Sequence, residues 1–389
     1  MIQVEEALDL VEKFAIRADS KKVSLTESLG LILAEDVISP INMPPFNQSA
    51  MDGYAVNYDP AIENYVVLGE IQAGGSNQFV LDKGQAVRIF TGAAVPDSAN
   101  MVVRQEDVSQ IDQYITFTAP ALQANIRPKG EQIKQGENAL HKGVEINPAT
   151  IGFLATLGLS EVVVHPRPKV AILTTGNELI KPGEELAFGK IYESNSIMLE
   201  AAFHHYGFRD IEHVLVPDSY ELTVDALRKS LNSVDMIILS GGISVGDYDF
   251  VQRALNELDV AQVFYKVNQK PGKPLYFGTY QKKLIFALPG NPAAALTSFY
   301  LYILPALNQI TGGNFEGCVK TELPISTDYK KKGTRTEILK AFATDTEVKI
   351  LGAQSSAMLS SFSEANALVV IPDDIPEVEE GDFVLTLLL

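Results

Sequence analysis

The sequence predicts a multidomain α/β protein in which a central, doubly wound α/β domain lies between regions of short β-strands. The 389-residue chain is too long for a single ordinary core, since a domain averages roughly 150 residues. Strands and helices alternate through residues 169–312, which is typical of a parallel sheet with helices on both faces. On either side of this segment, short apolar runs are separated by turn residues, which indicates β-structure.

Composition limits the classes of function. Apolar residues make up 46% of the chain and charged residues 21%, as in folded water-soluble proteins. No apolar run reaches about 18 residues, and the first residues include acids where a signal peptide needs a basic start. We therefore expect a cytoplasmic protein without a membrane partner. The formal net charge of −18 also argues against nucleic acid as a partner.

Cysteine content limits the metal chemistry. The single cysteine, Cys318, excludes an internal disulfide framework and a thiolate-rich metal site. Carboxylates that bind hard cations such as Mg²⁺ are the favoured alternative.

The N-terminal region is predicted to be helical and extended. Apolar residues recur at helical spacing near the start of the chain: Val4, Ala7, Leu8, Val11, Phe14 and Ala15. The capping-box pattern Ser24-Leu25-Thr26-Glu27 predicts the start of a second short helix, and Ser39-Pro40 ends this region.

A dense polar turn follows in residues 44–56. Four hydrogen-bonding side chains occupy six positions, which is more than a hairpin needs: Asn47, Gln48, Ser49 and Asp52. An ordinary turn that enters a strand is the alternative. Short apolar runs through residues 65–120 then predict an inserted all-β module, in which Thr91 lies in a loop of small residues. A short helix is predicted at residues 151–157, before a proline-rich hinge at 165–168.

The α/β segment contains the clearest pattern. Strands are predicted at residues 170–173, 211–216, 236–239, 261–267 and 284–288, and helices at residues 196–206, 220–231, 250–258 and 292–310. The run Met236-Ile237-Ile238-Leu239 is apolar at every position, as expected of a strand that is buried on both faces.

Polar and glycine residues follow five of these strands. They are Thr174-Thr175-Gly176-Asn177-Glu178, Pro217-Asp218, Ser240-Gly241-Gly242 through Asp249, Lys266 with Lys270-Pro271-Gly272-Lys273-Pro274, and Pro289-Gly290-Asn291-Pro292. Because the carboxyl ends of parallel strands meet at one edge of a sheet, where ligands bind, we predict the site at this edge. Glycines directly after a buried strand let backbone amides face a ligand.

Two common enzyme motifs do not explain this sequence. Gly242-Ile243-Ser244-Val245-Gly246 matches the nucleophile elbow of α/β-hydrolases, but that fold needs a histidine after the serine, and every histidine precedes Ser244. Ser244 is interpreted instead as a hydrogen-bond donor to an anion. The phosphate-binding loop motif of P-loop nucleotidases does not occur, and His204 and His205 lack metal-ligand spacing.

After residue 312 the alternation stops and short strands return, which predicts a separate C-terminal β domain. Loops in this domain contain cationic and hydroxyl side chains, among them Arg335 and Ser356. A lysine run such as Lys330-Lys331-Lys332 is usually a solvated face, whereas Arg335, close to Gly333, is a candidate for a further role.

Six motifs occur in an order that resembles the MoeA family, the molybdopterin molybdenumtransferases that include the E domain of gephyrin. They are Ser49-Ala50-Met51-Asp52-Gly53-Tyr54-Ala55, Thr91-Gly92-Ala93, Thr175-Gly176-Asn177-Glu178-Leu179, Ser240-Gly241-Gly242-Ile243-Ser244-Val245-Gly246, Lys270-Pro271-Gly272-Lys273-Pro274 and Leu288-Pro289-Gly290-Asn291-Pro292. The resemblance covers nearly the whole chain.

The resemblance implies four domains. They are a discontinuous N-terminal domain of residues 1–45 and 128–166, an inserted β domain of residues 46–127, a MogA-like molybdopterin-binding α/β domain of residues 167–312 and a C-terminal β-barrel domain of residues 313–389. It also implies an elongated homodimer with a cleft shared between protomers. The implied activity is insertion of molybdate into adenylylated molybdopterin with release of AMP, and a molybdopterin adenylyltransferase is a candidate partner.

Matching positions carry the family's functional residues onto this chain. The resemblance assigns catalytic roles to Asp249, Asp218, Glu178, Lys266, Lys270 and Thr91. It assigns substrate binding to Gly241, Gly242, Ser244, Gly246, Lys270, Lys273, Pro289, Pro292, Arg335 and Ser356, and magnesium binding to Asp249 and Asp218. The chemistry agrees, since carboxylates can hold Mg²⁺ against a pyrophosphate and a lysine and arginine cluster can hold a tetrahedral dianion.

Two positions depart from the family pattern. The family commonly has aspartate where this chain has Asn47 and Gln132, and neither amide can act as an anionic metal ligand or proton acceptor. A carrier that binds molybdopterin or molybdate without catalysis is therefore the alternative function. The retained Asp218, Asp249 and Lys270 favour the enzyme.

Overall fold

The computed structural model describes residues 1–75, 77–118, 125–243 and 250–389, with only the backbone of residue 250. The described chain forms two compact units. The first unit comprises Met1–Lys21, Gly30–Ala34 and Val164–Leu389, and the second comprises Lys22–Leu29 and Glu35–Val163. Within the described residues, no helix combines the length and apolar character needed to cross a bilayer. The four predicted domain boundaries stay a prediction.

The elements follow one another along the chain. Up to residue 165 they are α1 Val4–Phe14, β1 Lys21–Ser24, β2 Ile32–Leu33, β3 Val37–Ile38, β4 Gln48–Ser49, β5 Gly53–Val56, β6 Tyr65–Ile71, β7 Gln85–Ile89, β8 Met101–Arg104, β9 Val108–Ile111, β10 Tyr114–Phe117, β11 Ile126–Arg127, β12 Asn138–Leu140, α2 Pro148–Thr156 and β13 Glu161–His165. Single 3₁₀ turns occur at Thr26–Ser28 and Gln105–Asp107.

The remaining elements belong to the first unit. They are β14 Val170–Thr175, β15 Leu179–Ile180, β16 Ile191–Tyr192, α3 Asn195–His205, β17 Ile211–Val216, α4 Tyr220–Ser233, β18 Met236–Ser240, α5 Phe250–Glu257, β19 Ala261–Tyr265, β20 Gln269–Lys270, β21 Tyr276–Tyr280, β22 Lys283–Leu288, α6 Pro292–Ser298, α7 Leu304–Ile310, β23 Val319–Pro324, β24 Tyr329–Lys330, β25 Thr336–Ala343, β26 Val348–Ile350, α8 Ser360–Ser363, β27 Ala367–Ile371, β28 Glu377–Val378 and β29 Phe383–Leu388. A π-helical segment, Phe299–Ile303, joins α6 to α7.

The second unit is built on a mixed β-sheet, as the run of short apolar segments predicted. Its strands lie in the order β8-β5-β7-β6-β10-β9. Both faces of the sheet are covered, because alternate residues of β5 pack into different clusters: Ala55 joins Val87 and Ile89, whereas Tyr54 joins Val103.

The first unit contains the predicted doubly wound domain. Its central sheet has the order β17-β14-β18-β22-β21-β19, and β17, β14, β18 and β22 are parallel. Residues of α3, α6 and α7 pack on one face of the sheet, and residues of α4 and α5 on the other. The predicted N-terminal helix, α1, buries Val4, Ala7 and Val11 in the first of these clusters.

Two local predictions differ from the structure. No strand was predicted at the position of β21, which pairs antiparallel with β22 and with β19. Its five residues include Gly278, so the segment lacks the long apolar run that marked the other strands. The short helix predicted after Ser24 is a single 3₁₀ turn. The capping box itself is present, because the Glu27 amide donates to Ser24 Oγ over 3.4 Å and the Ser24 amide donates to Glu27 Oε2 over 3.3 Å.

The C-terminal β region adds a sheet with the order β20-β25-β27-β29-β23, with β26 also paired to β25. Strand β20 comes from the loop between β19 and β21, and it pairs parallel with β25 so that Lys270 lies opposite Glu337. This pairing fixes the lysine-containing loop against the C-terminal sheet.

Candidate active site at the carboxyl edge of the central sheet

A cavity of about 750 Å³ lies at the predicted edge of the sheet, where β14, β17, β18 and β22 end. Its volume is that of a typical small-molecule site. Six of the predicted site residues line it: Glu178, Asp218, Gly241, Gly242, Pro289 and Pro292. These six residues therefore lie together at the predicted edge of the sheet, and their functional roles stay predictions.

Two of the three acidic residues that line the cavity, Glu178 and Asp218, come from neighbouring turns, whereas the third, Glu193, accepts from the amide and hydroxyl of Ser196. The amide of Asn177 donates to Asp218 Oδ2 over 2.9 Å, and the amide of Asp218 donates to Asn177 Oδ1 over 3.1 Å. The carboxylate of Glu178 packs against Gly176, since a Cβ added at Gly176 would lie 2.8 Å from Glu178 Oε2. The reciprocal bonds tie the end of β14 to the end of β17 and bring two carboxylates to one wall.

The glycine turn after β18 forms the adjacent wall. Gly241 and Gly242 have φ angles of +94° and +68°, which disfavour any side chain. A Cβ on Gly241 would lie 2.7 Å from the carbonyl oxygen of Thr175. The turn therefore requires glycine both for its backbone angles and for its close approach to β14.

Two further cavity residues have polar oxygens without a partner in the described part of the chain: Thr175, which belongs to a predicted strand end, and Asn195, which was not predicted. Thr175 Oγ1 and Asn195 Oδ1 are buried and have no hydrogen-bond partner among the residues that the structure describes. The side-chain nitrogen Nδ2 of Asn195 donates to Ser240 Oγ over 2.7 Å and to the carbonyl of Gly290 over 2.8 Å, and these two bonds fix the side chain. Asn195 begins α3, where a polar residue usually serves only as a cap, so its role depends on the packing around it. Both oxygens are available to a donor group of a ligand.

The four predicted cationic residues do not line the cavity: Lys266, Lys270, Lys273 and Arg335. Lys266 directly follows β19, which is four strand spacings, or roughly 19 Å, from β14. Lys273 comes nearest in sequence, because its neighbour Pro274 belongs to the cavity wall.

Three of these cations have partners of their own among the residues that the structure describes. Lys270 Nζ lies 2.8 Å from Glu337 Oε1, and Arg335 Nη1 donates to the carbonyl of Gln269 over 3.2 Å. Lys266 has a positive φ of 72°, and its ammonium lies 4.7 Å from the centre of the Tyr265 ring. Lys273 is exposed.

Ser356 lies beside the cavity. Its hydroxyl accepts a hydrogen bond from Asn291 Nδ2 over 3.0 Å, and its carbonyl accepts one from the amide of Ala293 over 3.0 Å. Asn291 and Ala357 both line the cavity. The loop of Ser356 is thus attached to the start of α6.

Thr91 lies in the second unit and is bonded to Asp52. Its amide donates to Asp52 Oδ1 over 2.7 Å, and its hydroxyl donates to the same oxygen over 2.8 Å. The backbone bond from Thr91, then its hydroxyl bond, and the charge of Arg88 hold the pKa of Asp52 below its ordinary value. In the same unit, Asn47 Oδ1 accepts from the amide of Lys129 over 2.9 Å.

Three predicted site residues, Ser244, Gly246 and Asp249, lie outside the described residues. Their predicted roles stay predictions.

Comparison with known proteins identifies the family. The description "MoeA N-terminal region (domain I and II)" matches residues 2–158, "Probable molybdopterin binding domain" matches residues 171–309, and "MoeA C-terminal region (domain IV)" matches residues 322–389. The chain belongs to the MoeA family. The resemblance drawn from the six motifs is therefore confirmed.

Named MoeA relatives match almost end to end. A protein named molybdopterin molybdenumtransferase from Staphylococcus epidermidis is 34% identical, with 98% of this chain and 94% of the relative covered. One of the same name from Haemophilus influenzae is 33% identical, with 99% and 98% covered. The crystal structure of a molybdopterin biosynthesis MoeA protein from Pyrococcus horikoshii superposes with a TM-score of 0.85 at 30% identity, over 100% of this chain and 99% of that one.

The MoeA regions divide the site residues into three groups. The cavity residues from Thr174 to Pro292 lie in the region described as molybdopterin-binding, whereas Arg335 and Ser356 lie in the C-terminal region and Thr91 in the N-terminal region.

Proposed function

We propose that this protein is a molybdopterin molybdenumtransferase, which inserts molybdate into adenylylated molybdopterin and releases AMP. The observation that carries the proposal is the cavity at the carboxyl edge of the sheet, where Glu178 and Asp218 face a glycine turn. Relatives that bear this name match over nearly the full length of the chain. A cation suited to an oxyanion, the exposed Lys273, directly precedes Pro274 of the cavity wall.

The acid pair suits a magnesium ion that acts on a phosphate substrate. Magnesium is usually held by one or two carboxylates, with waters and substrate phosphates completing its shell. The described residues contain no cluster of three or more metal-ligating side chains, but Asp218 and Glu178 on one wall satisfy this smaller requirement. Bound Mg²⁺ would supply positive charge against the pyrophosphate bridge of the substrate. Asp218 would be one ligand, and Asp249 is the proposed second.

The chain's own groups would orient the substrate around that charge. The backbone of Gly241 and Gly242 can approach phosphate oxygens closely because no side chain intervenes. The unpartnered oxygens of Thr175 and Asn195 can each accept a hydrogen bond from an N–H or O–H group of the substrate. These contacts would hold the pterin nucleotide with its pyrophosphate toward the acid pair.

Molybdate is proposed to bind where the C-terminal loops approach the cavity. A tetrahedral dianion needs several hydrogen-bond donors and positive charge, which Lys273, Arg335 and Ser356 can provide. The overall charge of −18 makes a local cationic site necessary for any anionic substrate.

We also propose that the protein acts as a homodimer, with Thr91 completing the site of the partner protomer. Mixing of two inactive variants would test this arrangement. If Thr91→Val and Asp218→Asn protomers exchange into hybrid dimers, half of the dimers carry one intact site, so about a quarter of parental activity should return. Absence of recovery despite verified exchange would contradict a shared site. A molybdopterin adenylyltransferase, the class of enzyme that makes the substrate, is the proposed partner.

The proposed activity is tested with purified protein, adenylylated molybdopterin, Mg²⁺ and molybdate. We expect AMP release that requires molybdate and is abolished by a chelator, with one AMP per cofactor formed. A reaction without molybdate serves as the control. Tight binding of the pterin nucleotide without AMP release under these conditions would indicate a carrier instead.

A further inference from the structure

Lys340 is a lysine whose charge lies almost entirely inside the first unit. It is on β25 and is only 4% exposed. Its ammonium donates to the carbonyl oxygens of Ala353 over 2.8 Å, Met358 over 3.0 Å and Ser355 over 3.4 Å. Since an ammonium has three donors, these three carbonyls satisfy it completely.

This buried charge has an unusual set of partners. Among the described residues, no carboxylate forms an ion pair with Lys340, and burial lowers the pKa of its ammonium. A buried charge is normally paired with an opposite charge. Here the charge is compensated by three backbone carbonyls and by the ring of Phe362, whose centre lies 5.9 Å from the ammonium. The three hydrogen bonds all go to one loop and constrain its shape.

That loop comprises residues 351–359 and is called the Ser356 loop. The side chain of Gln354 accepts from the amide of Lys340 over 3.0 Å and donates to the Lys340 carbonyl over 2.8 Å. Ala353 has a φ of +53°, which is strained for a residue with a side chain, and its carbonyl is held by both Lys340 and Ser361. The strained turn is therefore fixed from two sides.

The Ser356 loop reaches the cavity at its middle residues. Ser356 is bonded to Asn291 and Ala293 at the start of α6, and Ala357 is part of the cavity wall. The carbonyls that Lys340 binds flank these two residues, at positions 353, 355 and 358. A shift of these three carbonyl groups would therefore move the hydroxyl of Ser356.

We propose that Lys340 is a positioning residue, which fixes the Ser356 loop so that Ser356 meets the molybdate oxyanion. The inference rests on the proposed function, in which Ser356 contacts molybdate. Lys340 itself does not line the cavity. Its loss should therefore weaken molybdate binding without removing any group that reacts.

The test compares Lys340→Met with Lys349→Met, a control on β26 whose lysine is exposed in the same sheet. Hydrogen exchange measures the protection of the backbone amides in the Ser356 loop, and calorimetry measures molybdate affinity. In Lys340→Met we expect exchange in the loop to rise roughly tenfold or more, and the Kd for molybdate to rise by a similar factor. The turnover rate at saturating molybdate should change much less. Lys349→Met should match the parent in every measurement.

The outcomes separate this inference from the proposed function. Failure of the parent to bind molybdate would contradict the proposed function, whereas the exchange measurement would still report on the loop. Faster exchange with parental molybdate affinity would overturn the positioning role, because the lysine would then serve stability alone. If Lys340→Met does not fold, Lys340→Gln, which removes the ammonium but keeps a polar side chain, is measured in the same way. Parental exchange and affinity in that variant would show that the ammonium does not fix the loop and would also overturn the proposal.

Discussion

The ammonium of Lys270 lies 2.8 Å from a carboxylate oxygen of Glu337, a side chain that is only 1% exposed. The hydroxyl of Tyr329 donates to the other oxygen of the same carboxylate over 2.5 Å. Burial and this carboxylate raise the pKa of Tyr329 far above its ordinary value, so the phenol remains a donor. Lys270 therefore compensates a buried charge, in addition to any contact with substrate.

The Lys270–Glu337 ion pair predicts that replacing Lys270 lowers the stability of the protein. Lys270→Met leaves the Glu337 carboxylate without its cation, and since Lys270 is partly exposed we expect a loss of about 1–3 kcal/mol in the free energy of unfolding. The double variant Lys270→Met, Glu337→Gln should recover most of that loss in urea unfolding. If Lys270 also contacts molybdate, the double variant will still bind it at least about tenfold more weakly. Recovery of both properties would assign Lys270 a structural role only.

Asp218 offers a variant that removes charge with little change in shape. In Asp218→Asn an amide oxygen can still accept from the Asn177 amide, so the turn should persist. We expect the Mg²⁺ concentration for half-maximal AMP release to rise at least about tenfold. Asp210→Asn is the matched control, because Asp210 precedes the same strand at its opposite end. An unchanged Mg²⁺ response in Asp218→Asn would exclude Asp218 as a ligand.

The bond from Thr91 to Asp52 predicts a pH-dependent property. Because the folded-state pKa of Asp52 lies below its ordinary value of 3.8, its stabilising contribution is present above that pH and is lost as pH falls through the lower folded-state pKa. Thr91→Val removes only the hydroxyl bond, so the pKa should rise toward 3.8 but stay below it, since the backbone bond is the larger cause. Thr91→Ser should keep the parental value. A carboxyl NMR titration measures all three proteins, and identical values in parent and Thr91→Val would show that the hydroxyl bond does not form.

Lys273 provides the simplest test of the anion site. Its side chain is exposed next to the cavity wall, so Lys273→Ala should leave stability unchanged. We expect molybdate affinity to fall by about 1 kcal/mol, roughly fivefold, with a larger effect at low salt. Lys282→Ala, which removes a surface lysine paired with Asp19, is the control for net charge. Equal affinity of Lys273→Ala and parent by calorimetry would remove Lys273 from the site.

The amides of Asn47 and Gln132 predict slower cofactor formation than aspartates at the same two positions would give. Asn47 Oδ1 accepts from the Lys129 amide, and an aspartate there can accept the same bond, so Asn47→Asp should fold normally. Near a dianion and a pyrophosphate, amides bind oxygens without repulsion but cannot hold a metal or accept a proton. The double variant Asn47→Asp, Gln132→Asp should form cofactor faster in a single turnover at saturating molybdate. A parent that is as fast as the variant would show that neither acid is needed.

Local patterns in the sequence identified the sheet edge and most of its cavity. The run from Met236 to Leu239 is apolar throughout because both faces of β18 are covered, and the strand is buried as predicted. Polar residues directly after a buried strand are placed by the strand itself, so Asp218, Glu178 and the glycine turn were predictable. The capping box at Ser24 formed as well, although only one helical turn follows it.

The lateral order of strands and the partners of each side chain were decided by the tertiary structure alone. Strand β21 lies between β22 and β19, and no periodicity in the sequence specifies that order. Lys270 meets Glu337 across 67 residues of chain, and the carbonyls that hold Lys340 lie 13 to 18 residues beyond it. Sequence periodicity reports which face of an element is buried. Which charges meet inside the protein depends on how the elements pack, because burial leaves a polar group only the partners that packing brings within reach.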